Sequence, residues 1–232
     1  MSAQVARLLG LRITGGEYRP GDTLPIESEL CRIYGVSRST IREAINTLSG
    51  KRLLDVGPKV GTRVRRFEDW ALLDPELFAW RLASQFDTRI VEDLYEFRTC
   101  FEPRACCLAA LGGSEEEHQT ISRRLHELEA SFGRPLSAAT EIGADAEVAF
   151  HLAILAATHN GLYVAIGGIV RAGLRAAFAL LQRRGQLPRE DFSLYDAIVK
   201  AILERDGEAA SAAMASLLDV SRQRLLTVLA AG

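Results

Sequence analysis

Cysteine is scarce, with 4 among 232 residues, and Cys31, Cys100, Cys106 and Cys107 make no CxxC pair. Adjacent cysteines rarely bridge each other, so the four read as reduced packing thiols of a cytosolic protein. The amino-terminus lacks the basic flank and apolar core of a signal peptide, and export is not expected. No uninterrupted apolar span is present. Residues 148–170 contain no Lys, Arg, Asp or Glu, but His151 and the stretch Thr158-His-Asn-Gly161 break them up. A membrane helix needs about 20 mainly apolar residues, so this stretch reads as two buried helices meeting at a turn. No nucleophile triad, phosphate-cradling glycine loop or complete metal set is apparent, which argues against an enzyme. Internal repeats and low-complexity tails are also missing.

Nor does either sign of charge dominate, the formal net being −2. That near-balance hides a partition. Residues 1–66 hold 12 Lys+Arg against 6 Asp+Glu, a net of +6, while the remaining 16 and 24 leave the rest at −8. A basic head on an acidic body points to a head that alone meets a polyanion. With 48% hydrophobic and 25% charged residues, the chain is ordinary globular material for one large or two modest domains.

The pattern within the head is helical and then extended. Val5–Thr14 is amphipathic and closed by Gly15 and Gly16. After a turn with Pro20 and Pro25, a second helix is predicted from about Ile26 to Tyr34. Gly35-Val36-Ser37 makes a tight turn, and Ser37 caps a third helix reaching about Leu48. The segment "LLDVGPKVGTRVRR" reads as two short strands in a hairpin. Three helices and a hairpin make a winged helix-turn-helix over residues 1–66. Residues 67–80 read as a linker that turns helical after Pro75. Residues 81–232 read as an all-α antiparallel bundle, with a capping box at Ser114 and Glu117.

At about 100° per residue, Ile41, Ala44, Ile45 and Leu48 gather on one side of the third helix. Arg38, Ser39 and Arg42 lie on the other. Residues near the start of a recognition helix reach base edges in the major groove, and arginine is the commonest reader of guanine. Arg38, Ser39, Thr40 and Arg42 are therefore candidate DNA contacts. In the hairpin, Lys59, Gly61 and Arg63 can meet phosphates or a narrow minor groove.

In the body, Glu147, His151 and Thr158 fall on one face of a helix otherwise rich in Ala, Leu, Val and Phe. Glutamate is seldom fully buried without a partner, so this face should line a wet or ligand-filled cavity. Arg98 sits at the rim of an apolar stripe with Glu102 four residues on, and Arg171 stands beside another stripe. A buried guanidinium suits a ligand carboxylate. The plainer alternatives are an Arg98–Glu102 ion pair, a surface Arg171 and a core histidine.

The stretch "PGDTLPIESELCRIYGVSRSTIREAINTLSGKRLL" followed by "GTRV" resembles the DNA-binding head of GntR-family transcription regulators. With "YEFRTCFEP" and "EVAFHLAILAATHN", the helical remainder resembles the FCD ligand-binding domain of the FadR branch. "WALLDPELFAW" is similar to the linker of regulators answering to sugar acids such as galactonate. The resemblance departs at Ile26, where family members often have Ser, and at Ser28, where they often have Arg.

The resemblance implies a cytoplasmic, ligand-responsive homodimer, a repressor acting on a palindromic operator in double-stranded DNA and released by a small organic acid. The implied effector-binding residues are Arg98, Glu147, His151, Arg171 and Tyr195. Many FCD domains also hold a divalent metal through four side chains. Here Glu147 and His151 keep the spacing of the first two, whereas Tyr195 and Leu217 stand at the third and fourth. The expectation is no firmly held cofactor, at most a weak divalent metal on that partial set. Two alternatives remain: a regulator of the acyl-CoA-responsive type, and a metal-dependent enzyme using Glu147 and His151.

Overall fold

The computed structural model describes residues 1–57, 61–132, 136–185 and 192–231, with backbone alone for 132 and 136–141. The chain divides into two compact units, Met1–Phe86 and Asp87–Gly232.

The first unit holds helices α1 (Ser2–Thr14), α2 (Glu27–Tyr34) and α3 (Arg38–Gly50), then strands β1 (Leu54–Gly57) and β2 (Gly61–Val64). Leu30, Ile41, Ala44, Ile45 and Leu48 are buried against Val5, Leu9 and Ile13 of α1. Each such Leu or Ile contributes about 1.5–3 kcal/mol by leaving water. The turn into α3 works as its residues dictate. Gly35 adopts φ 64°, a left-handed cap that glycine takes without strain. Ser37 then accepts a hydrogen bond from the Thr40 backbone N–H at 3.3 Å. Ser37→Ala should cost about 1 kcal/mol of head stability, measurable by urea unfolding.

β1 and β2 pair antiparallel, Leu54 opposite Val64 and Gly57 opposite Gly61. The other edge of β2 is occupied too, since Leu24 N–H donates to Thr62 O and Val64 N–H to Asp22 O. The hairpin is thereby tied to the turn that precedes α2.

The stretch expected as a linker is part of this core. Residues 67–69 form a 3-10 turn, and α4 (Pro75–Ser84) packs on α1. Trp70, Leu77 and Trp80 are buried with the head residues. A Cβ at Gly10 would sit 2.4 Å from the Trp80 ring, so only glycine admits the indole there. Asp74 caps α4 and also binds the Lys51 ammonium at 2.8 Å, with Glu76 on the same ammonium at 2.9 Å. Burial opposes the Lys51 charge, but these two carboxylates raise its pKa overall.

The second unit is helical: α5 (Thr88–Gly112), α6 (Glu115–Phe132), α7 (Leu136–Ala156), α8 (Gly161–Arg183), α9 (Phe192–Leu203) and α10 (Gly207–Ala230). The capping box forms, Ser114 N–H reaching Glu117 at 2.8 Å and Glu117 N–H reaching Ser114 Oγ at 3.3 Å. α5 packs along α10 and also meets α7 and α9, while α7 lies beside both α6 and α8. Three helices thus converge where the polar side chains were expected. α8 is long and apolar enough to cross a membrane by length and composition, and half of its apolar window is buried inside the unit. The uncharged stretch does break into two helices, at the turn holding Thr158 and His159. Thr158 lies in that turn, with its hydroxyl on Leu155 O, and so leaves the face shared by Glu147 and His151.

Candidate functional site

Two places gather candidate functional side chains, one in each unit. In the head, the buried stripe of α3 leaves Arg38, Ser39 and Arg42 exposed, with Thr40 half-buried. Ser37 Oγ lies 2.9 Å from both Ser39 Oγ and Thr40 Oγ1, so these hydroxyls serve the start of the helix as well as its outer face. Arg42 is held from α2, its Nε–H donating to both carboxylate oxygens of Glu27 at 2.9 and 3.0 Å. In the hairpin, Gly61 is exposed with φ 77°, the left-handed region where a side chain would be strained. Arg63 is exposed beside it. Lys59 lies outside the described residues.

In the body, α5 supplies Arg98 and Glu102, α7 supplies Glu147 and His151, and α9 supplies Tyr195. All five are buried. The Arg98 Nε–H donates to Glu102 Oε1 at 2.5 Å and its Nη2 to Oε2 at 3.2 Å. His151 Nδ1 lies 2.7 Å from Glu102 Oε2. Burial alone would raise the Glu102 pKa, but Arg98 and His151 reverse that and hold it at about 2. Glu102 is therefore an acceptor only, and Nδ1 of His151 must carry the proton between them. On the far side, His151 Nε2 faces Glu147 Oε1 at 4.0 Å, and the Tyr195 hydroxyl donates to that same oxygen at 3.0 Å. Burial works against the Arg98 charge, yet Glu102 leads the attractions that raise its pKa. Tyr95 closes one side, its ring 5.1 Å from the Arg98 guanidinium carbon, and Phe150 meets Tyr195 edge-on at 5.4 Å.

Arg98, Glu147, His151 and Tyr195 are thus brought together, and Arg171 is not. It is exposed on the outer side of α8, because Val170 and Leu174 set the buried stripe and residue 171 falls about 100° beyond the first of them. Glu102, which joins Arg98 to His151, was read in the sequence only as a rival partner for Arg98. Its spacing of four from Arg98 on a half-apolar helix was the available signal.

A divalent metal does not fit these residues. Glu147 Oε1 is engaged by Tyr195 and Nδ1 of His151 by Glu102, and His151 Nε2 stands 4.0 Å from Glu147 Oε1, wider than the roughly 3.3 Å between neighbouring ligands of a tetrahedral zinc. Leu217, buried at the fourth position, has no donor atom. Among the described residues no group of three or more His, Cys, Asp or Glu side chains is placed to hold an ion. Structural and catalytic zinc sites use three or four protein ligands.

A crevice of about 20 Å³ beside Glu147 is bounded by Tyr95, Leu174, Phe178 and Arg224, room for roughly one water. Tyr95 also borders a groove of about 610 Å³ between α5 and α10, lined among others by Glu92, Thr99, Leu218 and Arg222. Tyr95 thus lines both the crevice and the groove.

A winged helix-turn-helix joined to a helical domain with a buried polar centre defines a DNA-binding regulator with a sensory body. Comparison with known proteins agrees. Residues 1–64 match the family of bacterial regulatory proteins called gntR, and residues 93–220 match the FCD domain. The chain is 32% identical to the uncharacterized HTH-type transcriptional regulator YieP of Escherichia coli (strain K12), covering 94% of this chain and 92% of that protein. It is 29% identical to the galactonate operon transcriptional repressor of the same organism, covering 94% and 93%. The structure of the Lar protein of Listeria monocytogenes superposes with a TM-score of 0.62 over 97% of each chain, at 21% identity. The chain belongs to the GntR family, in the branch that carries an FCD domain.

Proposed function

We propose that this regulator is a cytoplasmic homodimeric repressor. It grips a palindromic operator through Arg38, Ser39, Thr40 and Arg42 of α3 and through Lys59, Gly61 and Arg63 of the hairpin. A small organic acid of the sugar-acid type releases it. The observation that carries the reading is a buried, mutually bonded Arg98–Glu102–His151 chain facing Glu147 and Tyr195 inside an otherwise apolar bundle. Replacing such a buried ionic group by packed hydrophobes is often neutral or stabilising, so its presence supports a recognition role. An entering carboxylate would compete with Glu102 for the Arg98 fork, and His151 and Tyr195 would bond its hydroxyl groups. The galactonate repressor, 29% identical, supports the choice of acid.

Homodimerisation is supported by α8. It turns Leu162 and Val164 to solvent at 77% and 54% exposure, alongside exposed Ala165. Two copies would carry two recognition helices to half-sites about one helical turn apart.

The test has two arms. A selection of duplexes from a random library should recover a two-fold symmetric site. A thermal-shift panel of galactonate, gluconate and dicarboxylates should contain an acid that raises the melting temperature by several degrees at about 100 times its Kd. The same acid should dissociate the recovered duplex. Failure of every acid, with DNA binding intact, removes the sugar-acid reading.

A further inference from the structure

Glu27 carries a negative charge on the face of the head that would meet a polyanion, at the first position of α2 and against Arg42 of α3. A carboxylate there weakens attraction to phosphate. Its geometry gives it another use. Both of its oxygens take the single Nε–H of Arg42, at 2.9 and 3.0 Å. Among the described residues the two terminal amino groups of Arg42 have no partner. The side chain stays 66% exposed although it is held. Arg38, one turn earlier, has no hydrogen-bond partner among the described residues and is free to change rotamer.

Guanine offers O6 and N7 side by side in the major groove, and a guanidinium meets them with two N–H groups at once. It can do so through Nε and one amino group, or end-on through both amino groups. With Nε taken, the end-on approach is the one left. An arginine already ordered also loses less freedom on binding than a free one.

We propose that Glu27 is a positioning residue for DNA reading: it fixes the plane of the Arg42 guanidinium so that the two terminal amino groups face a guanine end-on. This rests on the reading that α3 enters the major groove.

The full-length protein is used for the test, with a library of duplexes randomised over about 20 base pairs. Wild type, Glu27→Ala, Glu27→Gln and Arg42→Ala are each taken through the selection, and their base preferences compared column by column. Glu27→Ala should flatten the same base-pair column in each half-site as Arg42→Ala does, with about a tenfold loss of preference there. All other columns should persist. Glu27→Gln, which keeps one acceptor oxygen, should fall between. The exposed pair adds little to folding, so the melting temperature should hold, which a merely structural role would not predict.

An unchanged profile for Glu27→Ala, or uniformly tighter binding with the same profile, overturns the proposal. So does loss at a different column, which would make Glu27 itself the reader of a base. If Arg42→Ala keeps the wild-type profile, the groove reading of Arg42 fails first and Glu27 falls with it. That arm separates the two failures.

Discussion

Arg98→Ala should lower the stability of the body by about 3–5 kcal/mol, the cost of leaving one member of a buried ion pair alone. The reason lies in Glu102, which is 2% exposed and has Arg98 and His151 as its bonding partners. Removing the guanidinium strands a carboxylate where water cannot reach it. The double variant Arg98→Met/Glu102→Leu should recover most of the loss, although His151 then lacks an acceptor for its Nδ1–H at a cost of about 1–3 kcal/mol. Acid should act in the same direction. The Glu102 pKa is held at about 2 in the folded protein, below the ordinary 4.5. The group binds a proton more readily when unfolded, so its contribution is complete above pH 4.5 and is lost as pH falls toward 2. Urea unfolding across that range should show the decline in wild type and a flatter acid limb in Arg98→Ala. A loss below about 1 kcal/mol would mean that Glu102 reaches solvent. Because the variant weakens the fold, Arg98→Lys is the better probe of sensing: it keeps the charge and loses the fork that grips a carboxylate.

The second large effect belongs to DNA. Arg38→Ala/Arg42→Ala should weaken binding to the selected duplex by about 2–6 kcal/mol, twice the value of one guanine contact if the two act independently. Both side chains project from the exposed face of α3, so the double variant should melt as wild type does. Fluorescence anisotropy on the selected duplex and on a scrambled one separates lost reading from lost charge. Reading is lost on the selected duplex alone, whereas lost charge weakens both and lowers the salt slope. Unchanged affinity for the selected duplex would remove α3 from the groove.

The head was legible because its signals are local. A tight turn at Gly35, a serine cap and an apolar stripe at helical spacing each constrain neighbouring residues, and all three stand where they were read. The body yielded its helices for the same reason, and the pairing of Glu147 with His151 because one turn of α7 brings them together. What could not be read was distance across the bundle. That Glu102 of α5 touches His151 of α7, 49 positions away, depends on how three helices cross. The sequence leaves Arg171 open between the effector site and the surface for a related reason. Arg171 stands next to Val170 in sequence, and small residues such as Ala172 and Gly173 leave the edge of the buried stripe poorly marked. Residues 67–80 read as a linker that turns helical after Pro75, yet Trp70 and Trp80 each have a seat prepared in the head.

Those seats bear on anyone who would exchange the heads of two such regulators. A cut at residue 66 runs through a shared core, setting the tryptophans of one parent against the first helix of another. The glycine at position 10 and the lysine at position 51 would then have to suit an indole and two carboxylates they were never matched to. The portable module is the longer piece ending after α4, and the natural place to join it is the short stretch at Gln85 and Phe86, where the first compact unit closes.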